Sequence, residues 1–122
     1  MRIAVAQFAP VNGDVPANLG RIRALATEAA TADAVAVVFS ECQTTGYAAP
    51  EAMAALCEPV DGRTGSSLAA TAKECGLAVA AGVAELDPVP DGGTGTESLT
   101  TCSTCVALFP PRTPCDPCCR IT

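Results

Sequence analysis

Histidine and tryptophan are missing from this sequence, lysine occurs once, at Lys73, and tyrosine once, at Tyr47. The absence of histidine excludes imidazole general-base and triad chemistry. Only Phe8, Phe39 and Phe109 join Tyr47 as aromatics, so the 49% hydrophobic content rests largely on alanine and valine. No apolar run approaches the roughly 20 residues that cross a bilayer, so no membrane partner is expected. The N-terminus has a single base, Arg2, and turns polar at Gln7, unlike a signal peptide. Seven basic residues are scattered against 13 acidic ones for a net charge of -6, and without a basic patch no nucleic-acid partner is expected. A cytoplasmic chain of one domain is the expectation. At 122 residues it can bury a core but is short for an enzyme that must also build a deep pocket.

What is present falls into two regimes. Over residues 1–87, apolar runs alternate with amphipathic segments, and almost every boundary carries a start or stop signal. Arg2-Ile3-Ala4-Val5-Ala6-Gln7-Phe8 reads as a strand stopped by Pro10 and the Asn12-Gly13-Asp14 turn. Asp14 is placed to cap a helix over 16–30, with Pro16 in its first turn. Leu19, Ile22, Leu25, Ala26 and Ala29 recur along it at helical spacing. A second strand follows at 34–39 and a short helical piece from Pro50 to Cys57. A helix at 65–75, capped near Thr64 or Ser66, ends at Gly76. A third strand runs over 77–84. The pattern is α/β: three strands in one sheet, both main helices on one face, and an apolar face left open on the other.

The stretch with chemistry in it is Val37-Val38-Phe39-Ser40-Glu41-Cys42-Gln43-Thr44-Thr45-Gly46-Tyr47. A valine-rich run at 34–39 fits a strand buried on both faces. Glu41 ends it abruptly, where open α/β sheets place their ligand crevices. By position alone, Glu41 either lines such a crevice or simply points to water. Cys42, its neighbour, would face the opposite side of a continuing strand. Cys57 and Cys75 read as small buried apolar residues, and Lys73 as a solvated helix position.

Residues 1–87 resemble the carbon–nitrogen hydrolases of the nitrilase superfamily. The resemblance rests on Ile3-Ala4-Val5-Ala6-Gln7, on Val38-Phe39-Ser40-Glu41 with Gly46-Tyr47, and on Val60-Asp61-Gly62. Further on, Gly76-Leu77-Ala78-Val79-Ala80-Ala81-Gly82-Val83-Ala84-Glu85 completes it. Ser40 departs from the proline common before the family's glutamate. The resemblance implies the N-terminal part of a four-layer αββα sandwich that hydrolyses a small amide, nitrile or carbamoyl substrate without a cofactor. In that chemistry a glutamate takes the proton of a cysteine thiol, the thiolate attacks, and a lysine shares the charge of the tetrahedral intermediate. Glu41 matches the glutamate as general base. No stretch matches the lysine or the cysteine motif, so the chain is expected to be inactive alone. A homo-oligomer, or pairing with an intact homologue, is compatible with such a fragment.

From residue 88 the pattern fails. Six prolines, seven threonines and five cysteines crowd 88–122 without a helical or strand period, which predicts an irregular tail outside the fold. Cys102-x-x-Cys105 and Cys115-x-x-Cys118 have metal-ligand spacing, so a small zinc module on Cys102, Cys105, Cys115 and Cys118 is an alternative. Cys119 makes the count odd, and little apolar sequence surrounds the pairs. A disulfide scaffold and a shifted reading frame are the other accounts of this tail. Asp91-Gly92-Gly93-Thr94-Gly95-Thr96 lacks the ending of a phosphate loop and reads as plain loop.

Overall fold

A computed structural model describes residues 1–86, together with the backbone of 102–109 and 120–121. Elements follow in the order β1 (Ile3–Ala6), α1 (Val15–Thr31), β2 (Ala36–Phe39), α2 (Pro50–Leu56), α3 (Arg63–Cys75), β3 (Ala78–Leu86), β4 (Cys102–Phe109) and β5 (Arg120–Ile121). They build one five-stranded sheet in the order β1-β2-β3-β4-β5. β1, β2 and β3 run parallel, with Ala4 opposite Val37 and Val37 opposite Val79. The fold class is α/β, as the alternation predicts.

Helix starts and stops obey local chemistry. The Asp14 carboxylate accepts the Ala17 N–H at 3.0 Å and caps α1, whose first turn includes Pro16. α3 ends at Gly76, in the left-handed region. Its start differs from expectation: the N-cap is Gly62, which has no side chain to offer. The cap comes instead from Glu58, four residues earlier, whose Oε2 accepts the Thr64 N–H at 2.9 Å.

α1 and α3 pack against each other and against one face of the sheet. Ile22 and Ala26 of α1, Leu68 and Ala72 of α3, and Val37 and Val79 of the sheet are fully buried between them. Strand alternation turns the intervening residues to the other face. There Ile3 is 54%, Val5 85% and Val38 38% exposed. This corrects the expectation that β2 is buried on both faces. Helices cover one side only, and among the described residues no second layer covers the other. β3 is more enclosed: residues 81–85 are all buried.

A second correction concerns 102–109, expected to be irregular. Its backbone pairs antiparallel with β3 along eight positions, from Val79 opposite Phe109 to Leu86 opposite Cys102. Tertiary pairing with an available edge outweighs a weak local pattern. The rest of the expected tail, the glycine-rich stretch 91–96 included, lies outside the described residues. No helix among the described residues is long and apolar enough to cross a membrane.

Candidate active site

β1 and β2 are parallel neighbours, so their carboxyl ends emerge side by side. Residues 7–10 after β1 and residues 40, 41 and 43 after β2 line a cleft of about 540 Å³, with Tyr47 beside them. Glu41 lies here, exposed, two residues beyond the end of β2. The apolar run that stops on a carboxylate thus delivers that carboxylate to a crevice at the strand ends. Phe8 forms part of the wall. It meets Phe39 edge-on at 6.5 Å between ring centroids, and the Arg21 guanidinium of α1 lies 5.2 Å from its centroid.

Glu41 begins a turn over residues 41–45. The strand has therefore broken before Cys42, which sits at φ 53° and is 6% exposed. Breaking the strand does not bring the pair to a common surface: Glu41 is open to the cleft and Cys42 is buried. Gly46 has φ 70°, and a Cβ there would fall 2.4 Å from Asn12 Oδ1. That oxygen accepts the Tyr47 N–H at 3.1 Å. The Tyr47 phenol is held above its ordinary pKa, first by partial desolvation and then by the charges of Glu41 and Cys42.

Several polar side chains that the sequence pattern did not single out converge under this turn. Asn18 is fully buried on α1, where its Oδ1 accepts the Val11 N–H at 2.8 Å. Its Nδ2 donates to Val11 O at 2.9 Å and to Thr44 O at 3.0 Å. Gln43, 1% exposed, donates from Nε2 to Phe8 O at 2.8 Å and accepts the Ser40 hydroxyl on Oε1. The buried Thr44 hydroxyl donates to Gly82 O on β3 at 2.8 Å. A signal for Asn18 was present: an amide stands four residues before Ile22, on the helix face that is otherwise apolar.

Other candidates are not brought here. Lys73 is exposed in the last turn of α3, which leads into the amino end of β3, away from the carboxyl ends that frame the cleft. Cys57 is buried, whereas Cys75, expected to be buried, is only half-buried against the core. Cys102 and Cys105 stand on β4, opposite Leu86 and Val83 in its register. Cys115 and Cys118 lie outside the described residues. No cluster of three or more candidate ligands for a metal occurs among the described residues.

The family model for carbon-nitrogen hydrolases matches residues 2–111, a span that includes Glu41 and the parallel strands β1, β2 and β3. The chain belongs to that family. The matched span continues past residue 87 and takes in β4. Among solved structures the chain is similar to an amidase from Nesterenkonia sp., at 25% identity and a TM-score of 0.69. The alignment covers 88% of this chain and 37% of the amidase. A mutant of the Nesterenkonia sp. AN1 amidase in complex with butyramide aligns at 25% identity and a TM-score of 0.70, over 88% of this chain and 38% of that one. XC1258 from Xanthomonas campestris, a CN-hydrolase superfamily protein with an arsenic adduct in its active site, shares the fold at 21% identity. Its TM-score is 0.67, over 89% of this chain and 36% of its own. The chain thus spans well under half the length of these structures. No curated protein matches it in sequence.

Proposed function

We propose that this chain carries the general-base portion of a site that hydrolyses a small amide or nitrile, and that it has no turnover on its own. The observation behind this reading is the exposed Glu41 at the carboxyl end of β2, in a cleft between two parallel strand ends. In the chemistry that the family resemblance implies, Glu41 accepts a thiol proton, the thiolate attacks the substrate carbon, and a lysine shares the negative charge that develops. Glu41 has neither partner among the described residues. Lys73 stands at the far end of the strands, and Cys42 is buried below the turn.

The missing groups outweigh the one retained. Loss of a single oxyanion donor typically costs on the order of 100- to 1000-fold in turnover. Loss of the nucleophile as well removes the covalent route, because the members of such a site act as a unit. The test is incubation with butyramide and acrylamide, followed by ammonia release and intact mass. No ammonia and no adduct are expected. An acyl adduct on Cys42 that Glu41→Gln abolishes would overturn the reading.

The open apolar face of Ile3, Val5 and Val38 favours a second reading, in which the chain is a cytoplasmic fragment that pairs with an intact homologue. Co-elution of the two chains on size exclusion, lost in Val5→Lys, would support it.

A further inference from the structure

Asn18, Gln43 and Thr44 are each at most 1% exposed, and of the three only Gln43 borders the cleft. Helix-to-sheet packing does not require amides or hydroxyls at such positions. Each buried polar group left without a partner would cost about 1–3 kcal/mol. Here none is left so: no buried side-chain nitrogen or oxygen among the described residues lacks a partner. Their bonds all end on one loop or its supports. Asn18 joins the segment after β1 (Val11) to the turn (Thr44), Gln43 joins the turn to Phe8, and Thr44 joins it to β3 at Gly82. Gly82 completes the arrangement, because a Cβ there would lie 2.8 Å from Cys42 N and lift the turn off the sheet.

We propose that Asn18, Gln43 and Thr44 are positioning residues, a buried polar clamp that holds the Glu41 turn against β1 and β3 so that the carboxylate meets the cleft beside Tyr47. The purpose assigned to the clamp rests on reading Glu41 as the functional carboxylate, but its geometry can be measured without catalysis. Three separate segments, residues 8–11, α1 at Asn18 and β3 at Gly82, are tied to one five-residue turn. Loss of any tie frees the turn from one support without removing the carboxylate itself.

Tyr47 is the only tyrosine and there is no tryptophan, so phenolate absorbance reports this site alone. Replacing Glu41 with Gln removes a negative charge that opposes phenol ionisation, and the Tyr47 midpoint should fall. That fall measures how firmly the carboxylate is held near the phenol. In Thr44→Val, which keeps the shape and loses the donor to Gly82 O, and in Asn18→Leu, the fall on adding Glu41→Gln should be lost. In Leu68→Ala, a core truncation beneath α3, it should persist, which separates positioning from general destabilisation. An undiminished fall in Thr44→Val or Asn18→Leu overturns the proposal, as does no fall in the unmodified chain.

Hydrogen exchange at neutral pH gives a second readout on the same variants. The Gly13 amide donates to Thr45 O at 2.8 Å and the Gly46 amide to Cys42 O at 2.7 Å. Their protection should drop in Thr44→Val, while that of the Ala78 amide, bonded to Val35 O, is kept. Equal protection at all three sites, relative to the unmodified chain, also overturns the clamp. Hydrolytic activity enters neither measurement, so an inactive chain still decides the matter.

Discussion

Removing the Glu58 side chain should destabilise the fold through the start of α3. Gly62 leaves the first turn of that helix without a cap of its own, and Glu58 Oε2 accepts the Thr64 N–H at 2.9 Å. A side-chain cap is worth about 1 kcal/mol, and a negative charge at a helix N-terminus adds about 0.3–1 kcal/mol. Glu58 also pairs with Arg63 at 3.4 Å, but the Arg63 side chain is 96% exposed, so this contact contributes little. Glu58→Ala is therefore expected to cost about 1–2 kcal/mol at neutral pH, and Arg63→Ala less than about 0.5 kcal/mol. The cost should depend on pH with a definite sign. The backbone hydrogen bond from Thr64 is the main cause holding the Glu58 carboxyl below its ordinary pKa of 4.5, and Arg63 adds to it. A carboxyl lowered on folding contributes its full stability above the unfolded value and loses it as pH falls through the folded one. Urea unfolding at neutral pH and at successively more acidic pH should show the Glu58→Ala deficit shrinking as the carboxyl protonates. A deficit that is constant with pH, or an Arg63→Ala deficit equal to it, would refute the capping account.

Leu68→Ala should cost about 2–5 kcal/mol in the same unfolding assay, because Leu68 is fully buried where α3 meets the sheet. A loss under about 1 kcal/mol would mean that α3 is not seated there. Asp33 is exposed at φ 59° just past the end of α1, so Asp33→Gly should raise stability by about 0.5–1 kcal/mol by relieving left-handed strain and a charge at a helix C-terminus. A lowered melting temperature would contradict that. Val5→Lys, at a position 85% exposed on the open sheet face, should reduce binding of an apolar dye while leaving the unfolding midpoint nearly unchanged. If the unmodified chain binds no dye, the open face is not an accessible apolar surface.

Much of the fold was legible in the residues themselves. Asp14 capping α1, Gly76 ending α3 and the apolar runs of β1, β2 and β3 are local signals, set within a few residues of where they act. Glu41 was legible for the same reason: a carboxylate that stops an apolar run must fall near the strand's end. The departures share a different cause. β4 has no clear alternation and reads as irregular, yet its backbone groups find partners on β3, and that pairing depends on which edge the sheet leaves open. One-sided burial of β2 depends on how many layers cover the sheet, which no stretch of β2 encodes. Glu58 caps a helix from outside it, across the turn that precedes Gly62. Asn18 bonds to Thr44 across 26 residues, so its partner cannot be read from its neighbours. Local backbone preference and apolar periodicity decide which elements form. Which buried donor meets which acceptor is decided only when separate elements are packed, because an amide on a helix is satisfied by whatever carbonyl the tertiary fold brings within about 3 Å of it.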